Sequence, residues 1–165
     1  MEELKYSVLY KSPLGIMEIA ASDEAVISIY YRENDYSNIQ VSNDILIGCI
    51  SQFDEYFAGK RKEFTIQVQP EGTEFQKKVW DELLKIPYGE TISYLELSRR
   101  INNEKAIRAV GRANGENPIN IIIPCHRVIG SDGSLTGYGG GLWRKKWLLE
   151  HEWSVAGKER QIELF

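Results

Sequence analysis

Cys125 and His126 stand side by side in the run Ile121-Ile122-Ile123-Pro124-Cys125-His126-Arg127-Val128-Ile129. A thiol attacks as thiolate, and a free cysteine has a pKa of about 8.5, so a nucleophilic cysteine at neutral pH needs a base or a positive neighbour. His126 offers the first and Arg127 the second. Pro124, with its fixed φ and no backbone N–H, stops the isoleucine run just before the thiol. The pattern suits nucleophilic catalysis: Cys125 attacks, His126 takes the proton, and a carboxylate orients the imidazole. Spacing leaves that carboxylate open among Glu116, Asp132, Glu150 and Glu152. The opposing reading is an inert, buried structural cysteine. A zinc site is not expected: the chain has 2 Cys and 2 His, and an adjacent Cys-His pair does not match metal-ligand spacing. The loop Thr136-Gly137-Tyr138-Gly139-Gly140-Gly141 lacks the Lys-Ser/Thr end of a phosphate-binding loop. It reads as a loop that closes over a pocket, and no cofactor is expected.

The elements before the thiol suggest a substrate. Thr73 is a candidate N-cap with Gln76 three residues on, as in a capping box, and the helix it opens would bury Phe75, Val79, Trp80, Leu83 and Leu84. Ser93 with Glu96 repeats that signature for a helix to about Ile101. A polar turn at Asn102-Asn103-Glu104 separates it from a third helix over roughly 105–114. Two short helices joined by three polar residues read as a helix-turn-helix. The third helix carries small residues at Ala106, Ala109, Gly111 and Ala113, with Arg108 and Arg112 one turn apart. Small residues let a backbone approach a nucleic-acid groove, and arginines reach phosphates or bases. A last helix spans about 142–151, and Glu152 follows it.

The first 70 residues read differently. Three apolar runs, at Tyr6–Tyr10, Gly15–Ala20 and Val26–Tyr31, are separated by turn residues and predict an antiparallel meander. Ile45, Leu46, Cys49, Ile50, Phe53 and Phe57 have helical spacing, which makes Cys49 a core residue. Phe64–Val68 alternates like one more strand. Gln69-Pro70-Glu71-Gly72 is the linker candidate. The expected fold is therefore α+β, with an N-terminal domain over 1–70 and a mostly helical C-terminal domain over 71–165.

Charge and composition narrow the function. The net charge of −4 argues against general polyanion binding. The basic residues Arg99, Arg100, Lys105, Arg108, Arg112 and Arg127 nevertheless meet only Glu104 and Glu116 between positions 97 and 130, so a local basic face is expected. No apolar run reaches the ~20 residues that span a bilayer. The acidic start Met1-Glu2-Glu3 does not read as a signal peptide, and 2 cysteines do not make a disulfide framework. The chain is expected to be cytoplasmic, reduced and monomeric.

Pro124-Cys125-His126-Arg127-Val128, with Asn117-Pro118 before it and Gly137-Tyr138 and Leu148-Leu149-Glu150-His151-Glu152 after it, resembles the 6-O-alkylguanine-DNA alkyltransferases, also called methylated-DNA–protein-cysteine methyltransferases. Tyr88-Gly89-Glu90, Ser93-Tyr94 and Arg108-Ala109-Val110-Gly111 extend the resemblance over about residues 73–152. It implies a ribonuclease-H-like N-terminal domain. It implies DNA repair by single-turnover transfer of an alkyl group from the 6-oxygen of guanine, and from the 4-oxygen of thymine, to Cys125. His126 would act through a water, Glu152 would orient it, Asn117 would shape the turn and Tyr94 would help expel the guanine. Arg108 would fill the gap left in the duplex, with Ala106, Ala109, Gly111, Arg112 and Arg127 against the DNA. Tyr138, Gly139 and Val128 would line the base pocket. Gly139 stands where some members have serine, and Ile107 where some have alanine. Rival readings are a helix-turn-helix regulator with a redox-sensing thiol, an alkylguanine-binding module without an acceptor, and a thiol hydrolase.

Overall fold

The computed structural model describes residues 6–33 and 40–158. Backbone contacts divide the chain into two units. One takes the chain up to Glu71 together with Pro118–Asn120, and the other takes Gly72–Asn117 and the chain from Ile121 onward.

In the first unit, β1 (Tyr6–Ser12), β2 (Gly15–Ala21) and β3 (Val26–Arg32) form an antiparallel meander in the order β1-β2-β3. Alternation sends Val8, Tyr10, Met17 and Ile19 inward, and a register shift in the β2–β3 pair lets Val26 and Ile29, three residues apart, both be buried. Helix α1 (Asp44–Phe57) begins at Asn43, whose side chain accepts from Leu46 N, and buries Leu46, Cys49, Phe53 and Tyr56. Cys49 is a core residue, as its spacing predicts. The strand expected over Phe64–Val68 does not form: only Val68 makes a single parallel bridge, to Val26. Pro118–Asn120 supplies a second such bridge, Ile119 to Ile29, with Ile29 N donating to Pro118 O at 2.8 Å and Asn120 Nδ2 to Ile29 O at 2.7 Å. Nothing in the local pattern announces this three-residue exchange between units.

In the second unit, α2 (Glu74–Leu83) starts at Thr73 with both halves of the capping box made. Thr73 Oγ1 accepts from Gln76 N at 3.1 Å and Gln76 Oε1 accepts from Thr73 N at 2.9 Å. Trp80 is 1% exposed and donates its indole N–H to Ala113 O at 2.8 Å, which fixes α2 against α4 (Ile107–Gly115). Gly72 leaves room for that ring, since a Cβ there would lie 2.5 Å from it. Helix α3 (Tyr94–Arg100) is capped by Ser93, and a 3-10 turn at Glu104–Ala106 leads into α4, giving the expected helix-turn-helix. Two short strands, β4 (Ile92–Ser93) and β5 (Val128–Ile129), pair in parallel; two residues each are too few for a readable pattern. Helix α5 runs from Leu142 to Val155, so Glu152 lies on it rather than after it. The part of the predicted tail from 159 onward lies outside the described residues. Among those residues no helix is long and apolar enough to cross a membrane.

Candidate alkyl-acceptor site

Pro124 ends the apolar run and the chain folds into a 3-10 turn at Cys125–Arg127. Cys125 N donates to Ile123 O at 2.8 Å, and Asn117 Nδ2 donates to the same carbonyl at 2.7 Å. Asn114 Nδ2 reaches Cys125 O at 3.4 Å. The turn is therefore held by two asparagines, Asn114 in the last turn of α4 and Asn117 just beyond it. Its approach is strained: Ile121 has φ 73°, a conformation that costs a non-glycine residue about 1–3 kcal/mol.

Cys125 is 4% exposed. Burial pushes its thiol up, while a hydrogen bond from Asn117 and the charge of Lys145 pull it back. The resting thiol is thus neutral, and neither His126 nor Arg127 holds it ionised as the sequence suggests. The cation that bears on it comes from α5. Lys145 has no exposed surface; its Nζ donates to Val128 O at 2.5 Å and to Thr136 O at 2.8 Å. Burial lowers its pKa to about 8, against an upward pull from Cys125. In sequence Lys145 sits between Arg144 and Lys146 with no sign of this role; only helical phase distinguishes it, since Lys145, Leu148, Leu149 and Glu152 share the buried face of α5.

Of the four candidate carboxylates, Glu152 is the one at His126. His126 Nε2 lies 2.8 Å from Glu152 Oε2, and both side chains are buried. A carboxylate only accepts, so Nε2 carries the hydrogen and Nδ1 keeps the basic lone pair. Nδ1 has no protein partner among the described residues. Burial pushes the imidazole down and outweighs the pull of Glu152, so it rests neutral and able to take a proton. Burial alone would push the Glu152 carboxyl up; His126 and Arg127 overcome it and hold it well below the usual carboxylate range.

Arg127 is a correction. The expected DNA contact is 7% exposed. Its Nε and Nη2 donate to Glu152 at 2.8 and 3.1 Å, its Nη1 donates to Ile86 O at 2.7 Å, and it lies over the Tyr88 ring at 5.6 Å. A guanidinium so engaged has no reach toward a phosphate. Gly89 N also donates to Glu152, at 3.3 Å; Gly89 has φ +77°, and a Cβ there would meet that of Ala156 at 3.1 Å.

Val128 is corrected in the same way. It is fully buried in β5, so its side chain is core, and its carbonyl serves Lys145. Tyr138 is buried and Gly139 exposed on the glycine-rich loop. Tyr94 opens α3 and donates its hydroxyl to Thr136 O at 2.9 Å, beside Lys145 Nζ at 5.8 Å from its ring. A Cβ on Gly111 would lie 3.8 Å from the Tyr94 ring, so part of the value of glycine there is room for Tyr94. On α4, Arg108, Ala109 and Arg112 are exposed, and Ala106, in the 3-10 turn before it, is half-buried, leaving a small-residue surface flanked by cations. Among the described residues no cluster of metal-binding side chains occurs.

Residues 5–70 match the family described as the ribonuclease-like domain of 6-O-methylguanine DNA methyltransferase, and residues 74–154 match its DNA-binding domain. A methylated-DNA–protein-cysteine methyltransferase of Methanosarcina acetivorans is 45% identical over 154 residues, 90% of this chain and 99% of the relative. One from Haemophilus influenzae is 43% identical over 153 residues, 89% of this chain and 86% of the relative. The crystal structure of the Mycobacterium tuberculosis O6-methylguanine methyltransferase aligns with a TM-score of 0.83 at 43% identity, covering 92% of this chain and 94% of that one. The same protein in complex with DNA aligns at 0.81, covering 92% and 93%. A buried cysteine beside a carboxylate-held histidine, behind a helix-turn-helix, is thus found in a chain that belongs to the methylated-DNA–protein-cysteine methyltransferase family.

Proposed function

We propose that this protein repairs duplex DNA by moving a methyl or larger alkyl group from the 6-oxygen of guanine to Sγ of Cys125, once per molecule. The 4-oxygen of thymine, an ether of the same chemical kind, is a second substrate. The observation that carries the reading is the Cys125 turn itself: a buried thiol next to a neutral imidazole whose tautomer Glu152 fixes.

The alkylated oxygen lies inside the duplex, so the nucleotide must be extruded, which costs a few kcal/mol. The small-residue face made by Ala106 of the 3-10 turn and Ala109 of α4 lies against the groove, Arg112 supports it, and Arg108 takes the place of the missing base. Tyr138 and Gly139 line the pocket for the extruded base. The Cys125 proton passes through a water to His126 Nδ1, while Glu152 stabilises the imidazolium that forms. Sγ attacks the alkyl carbon; the S–C bond forms as the C–O bond breaks, and the electron pair leaves with the guanine oxygen. Tyr94 exchanges its bond to Thr136 O for one to the guanine, donating a proton or hydrogen bond to the leaving base. Lys145 supplies positive charge beside the thiolate. Asn117 keeps the turn in shape. The product is a thioether with no good leaving group, so the thiol is not regenerated. No cofactor takes part, and the protein acts as a monomer.

The redox-sensor reading fares poorly. Such cysteines are exposed and of low pKa, whereas Cys125 is buried and its thiol pushed up. The test is a duplex carrying one radiolabelled 6-O-methylguanine. Label approaching one equivalent per protein, and none in Cys125→Ala, is expected. Several turnovers per molecule, or undiminished labelling of Cys125→Ala, would overturn the proposal.

A further inference from the structure

Asn114 lies between the nucleophile and the acid of the proposed transfer. It is in the last turn of α4 and 1% exposed. Its Nδ2 faces the acceptor turn, 3.4 Å from Cys125 O. That bond is long, and Asn117 already ties the turn through Ile123 O at 2.7 Å, so holding the turn is a weak reason to bury this amide. Its Oδ1 is buried as well and has no hydrogen-bond partner among the described residues. An unpaired buried acceptor costs stability. A carbonyl only accepts, so the NH2 is the end turned toward Cys125 O, and the amide oxygen goes unpaired to put it there. An NH2 has two hydrogens, and the Cys125 carbonyl takes one of them.

The other has Tyr94 within reach. Gly111 stands three residues before Asn114, on the same face of α4. A Cβ on Gly111 would lie 3.8 Å from Cδ1 and 3.9 Å from Cε1 of the Tyr94 ring. The face therefore runs along the ring, and the amide of Asn114 comes within hydrogen-bonding reach of the phenol. Burial pushes that phenol up, and the hydrogen bonds of Thr136 and Asn114 pull against it. The hydroxyl donates to Thr136 O at 2.9 Å. Lys145 Nζ donates to the same carbonyl at 2.8 Å, so Tyr94 can withdraw its hydrogen without leaving Thr136 O unpaired. What the withdrawn phenol then needs is a donor to its own oxygen.

We propose that Asn114 is a positioning residue for alkyl transfer, its NH2 donating to the Tyr94 oxygen as Tyr94 gives its hydrogen to the departing guanine. The proton moves from the phenol to the base as the C–O bond breaks, and the negative charge it leaves on the phenol oxygen is met by the Asn114 N–H, a bond that strengthens as the acceptor ionises. His126 has by then taken the Cys125 proton, so the imidazolium and the phenolate balance. This rests on the alkyl-transfer reading above.

The experiment measures single-turnover methyl transfer from a duplex carrying 6-O-methylguanine at increasing protein concentration. It compares wild type, Asn114→Leu, Tyr94→Phe and the double variant. Asn114→Leu keeps the approximate volume and removes both donors. It should lower the limiting rate on the order of tenfold, the worth of one hydrogen bond to a charged group, and leave the apparent affinity for the duplex unchanged. In the Tyr94→Phe background the same substitution should alter the limiting rate by less than about twofold, since the interaction it removes is already gone. Asn114→Asp, of the same shape with an acceptor in place of the donor, should behave like Asn114→Leu, and carries the same cycle if the leucine variant does not fold. An equal loss of rate in both backgrounds, or a wild-type rate in Asn114→Asp, would overturn the inference while leaving alkyl transfer standing. Absence of transfer by the wild type would overturn alkyl transfer and this inference with it.

Discussion

Glu152→Gln separates the two jobs that one carboxylate performs. Glu152 accepts from His126 Nε2, from Arg127 Nε and Nη2, and from Gly89 N, all within 3.3 Å and out of water. Glutamine keeps the shape but has one accepting oxygen and no charge. Its NH2 must face either Arg127 or the His126 N–H, donor against donor. Arg127 would be left as a buried charge without its counter-ion, and removing one partner of a buried pair costs about 3–5 kcal/mol. For a chain of this size each kcal/mol moves Tm by roughly 2–4 °C, so thermal melting should show a drop on the order of 10 °C. Transfer should fall on a different scale. Loss of an oriented base costs about 10²–10⁴-fold in rate. A double variant, Arg127→Met with Glu152→Gln, decides between the roles. It removes both charges, so stability should return toward wild type while transfer stays slow. A Glu152→Gln protein that melts within about 2 °C of wild type and transfers at a similar rate would refute the reasoning. So would a double variant that recovered activity along with stability.

Other outcomes follow from the same geometry. Lys145→Met should slow transfer on the order of tenfold or more, since a neighbouring cation favours a thiolate by about one or more pKa units. The buried Lys145 titrates near 8 rather than 10.5, so the unfolded chain binds its proton over a range where the native one does not, and wild-type stability should rise between those pH values; denaturant titration of Lys145→Met should lack that rise. His126 is held down by burial, so unfolding takes up a proton below its ordinary value near 6.5, and stability should fall as pH drops below that point. Imidazole NMR signals should show His126 still neutral there. Gly89→Ala, at φ +77° against Ala156 and Glu152, should cost upwards of about 1 kcal/mol in urea unfolding. Cys49→Ala should cost about 1–2 kcal/mol in the first unit's core and leave transfer unchanged.

The meander, α1, the capping box of α2, the Ser93 cap of α3 and the helix-turn-helix were legible because each rests on a local rule, either alternation or a cap three residues from its partner. The acceptor turn was legible because Pro124, Cys125 and His126 are neighbours in sequence. What escaped depends on distant atoms. Arg127 resembles a DNA contact in composition and becomes the counter-ion of Glu152 only once α5 is packed beside it. Lys145 is one of several basic residues on α5 until burial singles it out. The Phe64–Val68 segment alternates correctly but finds only one bridge on its neighbour, and Pro118–Asn120 joins the first unit through contacts no window of sequence contains. Among four acids, spacing could not choose Glu152; the geometry of α5 does.

The most direct test of the central account is intact-mass analysis of the protein after incubation with an excess of duplex carrying 6-O-methylguanine, followed by mapping of the modified peptide. The account predicts a single added methyl group, saturating at one per chain and located on the peptide that contains Cys125. An unmodified chain with demethylated DNA, or a methyl group on Cys49 instead, would contradict it.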